Sequence, residues 1–169
     1  AKRNRLTLLI RDLKEQGKPT LVFSNFKAMI PLFQQAVEDL RLRFSTVTGS
    51  VPQATRQKEI KRFRDGESDV FLATLGSMNS SVDLFEAKAL VLYEPWWNPQ
   101  KEKQGMGRMV RRGQQDDTTV YRFVTPNSVE MQLMAIQDRK LSLVDAVFNG
   151  DMMALSHRLT EEDIAKLFV

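Results

Sequence analysis

The sequence predicts an α/β fold: one domain with a mostly parallel sheet, helices on both of its faces, and further helices at the C-terminus. Three observations carry this. Short apolar runs such as Leu21-Val22-Phe23 and Phe71-Leu72-Ala73 recur, too short for helices and right for strands buried on both faces. Segments with apolar residues at helical spacing separate them. Turn and capping residues stand at nearly every junction. Strands alternating with helices give a parallel sheet covered on both sides.

The elements follow in order. Residues 3–16 place Leu6, Leu9, Ile10 and Leu13 on one helical face, and Gly17 is a stop. Residues 20–23 form a strand after Pro19. Ser24-Asn25 resembles a strand-to-helix turn, and residues 27–41 carry Met29, Leu32, Phe33, Ala36, Val37 and Leu40 on one face. Pro31 fits only a first turn, which starts that helix near Met29 or Ile30. Residues 44–48 are a second strand closed by Thr48-Gly49-Ser50. Residues 53–65 are a helix with Ile60 and Phe63 inward, ended by Gly66. Strands at 70–74 and 89–93 flank a polar loop at 76–81. Asn98 caps and Pro99 opens a helix running to about Arg112. Residues 119–125 are a fifth strand. Ser128 caps another helix, and Thr160-x-x-Asp163 marks one more start. In such sheets ligands bind where loops leave the carboxyl ends of strands. Ser24, Thr48, Thr74 and Tyr93 mark those ends.

Composition narrows the chemistry. With 169 residues, 42% of them hydrophobic, the chain can bury one good-sized core. It has no Cys and a single His157, which excludes thiolate metal sites, Cys nucleophiles and multi-His metal centres. That usage leads us to expect no metal site, and no run approaches the roughly 20 apolar residues needed to span a bilayer, so no membrane partner is expected. Net charge is +4, but residues 1–64 hold 14 Lys and Arg against 5 Asp and Glu. That excess points to an acidic partner such as nucleic acid, and equally to solvated helix faces at Lys58, Lys61, Arg62 and Arg64.

One helix carries the sharpest pattern. Gln104, Arg108 and Arg111 fall within about 60° of one another at helical pitch, while Met106, Met109 and Val110 lie opposite. Two guanidiniums on one stripe suit a shared anion, and Arg suits planar phosphate recognition better than Lys does. A surface helix with solvated arginines has the same pattern.

The order Glu94-x-Trp96-Trp97-Asn98-Pro99, Gln104-x-x-x-Arg108-x-x-Arg111-x-Gly113-Gln114, Val120-Tyr121-Arg122-x-Val124-Thr125 and Ser128-Val129-Glu130 closely resembles the Swi/Snf-type helicase-like ATPases. It looks like their second RecA-like domain, over roughly residues 1–148, with 149–169 as a helical tail. The opening Lys18-Pro-Thr-Leu-Val-Phe-Ser24 is similar to the family's first-strand motif. The tail from Leu159 to Phe168 is similar to bacterial members.

The resemblance implies the C-terminal lobe of a DNA-dependent ATPase that translocates on duplex DNA. ATP with Mg2+ would lie between two lobes, held mainly by an N-terminal lobe with a phosphate-cradling loop. This chain has no G-x-x-x-x-G-K-[ST] sequence, so alone it is expected to be inactive. Arg111 would be the arginine finger, Arg108 its companion, and Gln104 a positioner of water or phosphate. Asp83 and Ser81 would line the nucleotide. DNA backbone contacts would come from Ser24, Asn25, Thr48, Gly49 and Thr74, with simple turn chemistry as the plainer reading of Ser24 and Thr48. The family's glycine-rich loop is replaced here by Ser77-Met78-Asn79-Ser80-Ser81-Val82-Asp83, which implies a slower ATPase or one needing a partner to close. The compartment implied is the nucleus in a eukaryote, or the nucleoid-associated cytoplasm in a bacterium. Two alternatives stay open: a non-catalytic docking domain on the same scaffold, and an RNA helicase lobe. The Gln-Arg-Arg stripe argues against the first, and the Trp-Asn-Pro segment against the second.

Overall fold

The computed structural model describes residues 2–78, 84–95, 118–132, 134–135 and 138. Five strands make one sheet: β1 (Thr20–Ser24), β2 (Phe44–Val47), β3 (Val70–Thr74), β4 (Ala89–Leu92) and β5 (Thr119–Arg122). Their spatial order is β2-β3-β1-β4-β5, and every pairing among them is parallel. Helix α1 (Lys2–Glu15) precedes β1, α2 (Ile30–Asp39) joins β1 to β2, and α3 (Gln53–Arg64) joins β2 to β3.

Side chains alternate across the sheet, as the pleat requires. Leu21 and Phe23 of β1 point to one face, where they meet Phe71, Leu90, Leu92 and Ile60 and Phe63 of α3. Val22 points to the other, where it meets Leu72, Val91, Leu6 and Ile10 of α1 and Phe33 and Val37 of α2. Both faces are therefore covered, which is why Leu21–Phe23 of β1, Val70–Ala73 of β3 and Ala89–Leu92 of β4 read as unbroken apolar runs. The expected fold class stands. β5 is the exception, being mostly exposed and shorter than expected.

Three helices end alike. Gly17 and Gly66 have φ of 67° and 73°. After α1, Lys18 N donates to Leu13 O at 2.9 Å and Gly17 N to Lys14 O at 2.9 Å. After α3, Glu67 N donates to Arg62 O at 2.8 Å and Gly66 N to Phe63 O at 3.1 Å. These are Schellman closures, in which a left-handed residue lets orphan carbonyls be satisfied. α2 closes the same way, with Leu42 N on Val37 O at 3.1 Å and Arg41 N on Glu38 O at 2.8 Å. There the left-handed residue is Arg41, with φ 55°. The helix ends at Asp39, and periodicity predicts 41 because no glycine announces that stop. Its start agrees: a short 3-10 turn over Lys27–Met29 leads into Ile30, with Pro31 in the first turn.

β2 lies at one edge of the sheet. Its outward Thr46 N–H donates to Glu59 Oε2 of α3 at 3.2 Å, and Gln34 of α2 donates to Thr46 Oγ1 at 3.2 Å. Arg62 holds the same Glu59 carboxylate at 3.1 Å. At the amino ends of the strands, Asp69 accepts from Lys14 Nζ at 2.8 Å and from Arg43 N at 3.0 Å. Ser128 caps the helical segment that follows β5, its Oγ accepting from Glu130 N at 3.2 Å.

Candidate functional site

Register sets the site. Ser24 is paired with Thr74, Phe23 with Leu92 and Val47 with Ala73, so β1, β2, β3 and β4 end along one line. The loops leaving that line carry Ser24 and Asn25, Thr48 and Gly49, the residues after Thr74, and Glu94. The structure thus brings together all five proposed DNA-contact residues at one edge of the sheet.

They do not stand there in the same way. Ser24, Thr48 and Thr74 are buried, at 0%, 7% and 8% exposure. Asn25 is half-buried and Gly49 exposed. The Ser24 hydroxyl is engaged inward, on Glu94 Oε1 at 3.0 Å and Phe26 O at 3.3 Å, and it accepts from Phe26 N at 3.0 Å. The Thr48 hydroxyl lies 3.2 Å from Ser50 Oγ. These hydroxyls shape their loops, and the outer surface of the edge is made by Asn25, Phe26, Lys27, Gly49 and Ser50.

Hydrogen bonds tie the loops together. Lys27 Nζ donates to Ser50 Oγ at 2.9 Å, from the β1 loop to the β2 loop. Ser77 Oγ, in the 3-10 turn Leu75–Met78 after β3, reaches Val47 O at 3.1 Å and Thr74 O at 2.6 Å. Glu94 Oε2 accepts from Asn25 N at 3.1 Å, and Asn25 Nδ2 donates to Pro95 O at 3.3 Å. Beneath Glu94, Tyr93 is wedged edge-on to Phe33 at 4.8 Å and lies 5.9 Å from Phe123, with Lys2 Nζ 5.1 Å from the Tyr93 ring centre. This column fixes the end of β4 and so the carboxylate that follows it.

Burial pushes the Glu94 carboxyl above its ordinary value of 4.5, and the nearby Glu130 charge adds to that; the Asn25 N–H, the Ser24 hydroxyl and the Lys2 charge oppose it without cancelling it. Glu130 shows the reverse balance. Burial raises it, but Lys2 at 2.6 Å and the Thr125 N–H at 2.8 Å outweigh burial and leave its pKa lowered. Position therefore separates two carboxylates of the same type.

Several expected site residues lie outside the described residues: Ser81 and Asp83 in the loop after β3, Trp96 and Trp97, Gln104, Arg108 and Arg111, and the helical tail with the boundary at 148. Lys27, Ser50, Ser77 and Glu94 were not among the expected site residues. Glu94 had a signal, since it opens the motif that continues through Trp96 and Asn98. Lys27 had a weaker one, following directly on the Ser24-Asn25 turn.

Residues 1–113 match the family described as helicase conserved C-terminal domain. The chain is 30% identical over 166 residues to "DNA repair and recombination protein RAD54-like" of Drosophila pseudoobscura pseudoobscura, covering 96% of this chain and 21% of that protein. It is 30% identical over 164 residues to "Helicase-like transcription factor CHR28" of Arabidopsis thaliana, covering 95% of this chain and 17% of that protein. It thus spans about a fifth of the curated relatives it matches. Among solved structures, the C-terminal part of the Fun30 ATPase domain shares the fold, with a TM-score of 0.75 at 20% identity over 80% of this chain and 44% of that one. The parallel five-strand sheet, the motifs that leave its carboxyl edge and these matches agree: the chain belongs to the helicase conserved C-terminal domain family, in its Swi/Snf-type branch.

Proposed function

We propose that this chain is the second lobe of a DNA-dependent ATPase that moves along duplex DNA, working with an N-terminal lobe that holds most of the nucleotide. The observation that supports the DNA half is the line of loops at the carboxyl ends of β1, β2 and β3, tied to one another and presenting Asn25, Lys27, Gly49 and Ser50 outward. Backbone N–H groups, hydroxyls and one ammonium suit phosphate oxygens, which position a protein on DNA without reading sequence. In this reading Ser24, Thr48 and Thr74 act from beneath, holding the loops in shape.

The donor set fits part of a nucleoside triphosphate. Arg108 and Arg111 offer guanidiniums for phosphate oxygens, Gln104 an amide, and Asp83 an acceptor for a ribose hydroxyl. Among the described residues there is no group of three or more His, Cys, Asp or Glu to hold Mg2+. The phosphate cradle, and the metal that accompanies the phosphates, are assigned to the other lobe because this chain has no G-x-x-x-x-G-K-[ST] sequence. Bound there, ATP supplies the phosphoryl group whose transfer drives translocation. Arg111 stabilises the charge that develops on the transferred group, and Arg108 and Gln104 orient its oxygens. All three act only when the lobes close and exclude water. No helix among the described residues is long and apolar enough to cross a membrane.

The test uses the protein with both lobes. Arg111→Lys keeps the charge but not the bidentate fork, and is expected to lower DNA-stimulated ATP turnover by about 10³-fold. DNA affinity measured without nucleotide should stay within a few-fold. Turnover equal to wild type would remove Arg111 from this role. Turnover indifferent to DNA in the unsubstituted protein would remove the motor reading itself.

A further inference from the structure

Glu94 is a half-buried carboxylate whose two oxygens both face the loop after β1. Oε1 takes the Ser24 hydroxyl at 3.0 Å and Oε2 takes the Asn25 N–H at 3.1 Å. Asn25 returns a bond to the next carbonyl, Pro95 O, at 3.3 Å. Ser24 in turn receives Phe26 N at 3.0 Å. Three successive residues of one loop, Ser24, Asn25 and Phe26, are thereby fixed to two successive residues of another, Glu94 and Pro95. Burying a carboxylate is costly, and a pair of neutral donors is a modest return for it unless the geometry they impose matters.

We infer that Glu94 is a positioning residue, a clamp that makes the DNA-facing loop after β1 and the chain leaving β4 move as one body. The chain leaving β4 runs on through Trp96 and Trp97 to Gln104, Arg108 and Arg111 in sequence. A displacement of Asn25 by a DNA phosphate is therefore transmitted, through two hydrogen bonds and the Pro95 carbonyl, to the start of the segment that carries the proposed arginine finger. The wedge of Tyr93 between Phe33 and Phe123 gives the clamp a rigid base, so the loop cannot relax by moving Glu94 instead. The functional half of this inference rests on the DNA-dependent ATPase reading, whereas the clamp itself does not.

The chemistry distinguishes a clamp from a charge effect. In Glu94→Gln the carboxamide oxygen can accept from Asn25 N, while its NH2 donates to Ser24 Oγ, whose proton turns to Phe26 O. The bonds survive and the charge does not. In Glu94→Ala both bonds are lost. In the two-lobe protein we expect Glu94→Ala to raise the half-saturating DNA concentration for ATP turnover about 10-fold, and Glu94→Gln to restore it to within about twofold of wild type. Hydrogen exchange at the Asn25 and Phe26 amides should be about 10-fold faster in Glu94→Ala and unchanged in Glu94→Gln.

Unaltered exchange in Glu94→Ala, or equal loss of DNA response in the alanine and glutamine variants, would overturn the clamp. Should Glu94→Ala fail to fold, Ser24→Ala carries the test, since it cuts one anchor and leaves Glu94 in place. Faster exchange at Asn25, whose N–H rests on Glu94 rather than on Ser24, with a weaker DNA response supports the clamp, and no change in either overturns it. A wild-type protein whose turnover ignores DNA defeats the functional reading, while the exchange experiment still decides whether the clamp exists.

Discussion

Lys27 Nζ and Ser50 Oγ meet at 2.9 Å, so the loop after β1 is linked to the loop after β2 across the edge proposed to face DNA. Lys27 is exposed, and its neighbours Gly49 and Ser50 are exposed too. An ammonium held this way is pre-aimed without being neutralised. Lys27→Ala in the two-lobe protein should weaken duplex binding several-fold. It should also lower the slope of log affinity against log salt by about 1, the signature of one lost phosphate contact. An unchanged slope in a salt titration would move Lys27 off the DNA path.

The contact between Lys2 and Glu130 yields a pH-dependent prediction. It closes at 2.6 Å and joins the start of α1 to the helical segment after β5. The folded Glu130 pKa is below its ordinary 4.5, so its contribution is complete above that value and is lost as pH falls through the folded pKa. Glu130→Gln should therefore lower stability by about 1 kcal/mol at neutral pH. The gap between variant and wild type should narrow on acidification below pH 4.5. Urea melts at pH 7 and at about pH 3 check this; a gap that widens in acid would refute it.

Glu94 titrates in the other sense. Burial raises its folded pKa, so its ionisation costs the folded state, and the stability it leaves intact at low pH is lost as pH rises through that raised pKa. The groups facing it are Ser24 and Asn25, with the charges of Lys2 and Glu130 further off. Glu94→Gln stands in for the neutral form. Its melting temperature at pH 7 is expected to equal or exceed that of wild type, and a lower one would contradict the assignment.

Arg41 offers a stabilising substitution. It occupies a left-handed conformation that glycine occupies at the ends of α1 and α3. A side chain there costs roughly 1–2 kcal/mol, partly offset by the greater freedom glycine has when unfolded. Arg41→Gly should gain about 0.5–1 kcal/mol in chemical denaturation. A loss of stability would mean that the Arg41 side chain makes a contact worth more than the strain.

Phe63 of α3 is 1% exposed and packs edge-on to Phe71 of β3 at 5.5 Å. Phe63→Ala should cost about 3–5 kcal/mol, through lost burial and the cavity left behind. A far smaller cost in the same denaturation assay would show that α3 is not docked on this face of the sheet.

The strands were legible because a parallel sheet covered on both faces leaves runs such as Leu21 to Phe23 uninterrupted by polar residues that solvent would require. Two helix ends were legible because Gly17 and Gly66 announce them. The end of α2 was not, because Arg41 adopts the same conformation without being a glycine. At the site, register was readable and orientation was not. Motif spacing puts Ser24, Thr48 and Thr74 at strand ends, but whether the Ser24 hydroxyl points out to a phosphate or in to a carboxylate depends on Glu94, seventy residues away in the chain. No local pattern encodes that distance. The arginine stripe from Gln104 to Arg111 rests on sequence and on family membership.

Glu59 occupies the outward N–H of Thr46 at the margin of the sheet, and that has a bearing on handling the protein. A bare margin is a template on which a strand from a second molecule can build, which is how aggregates and swapped dimers begin. A negative side chain on that donor removes one point of attachment and repels an incoming carbonyl. Concentrated solutions of a Glu59→Ala variant are accordingly the ones expected to cloud first on warming.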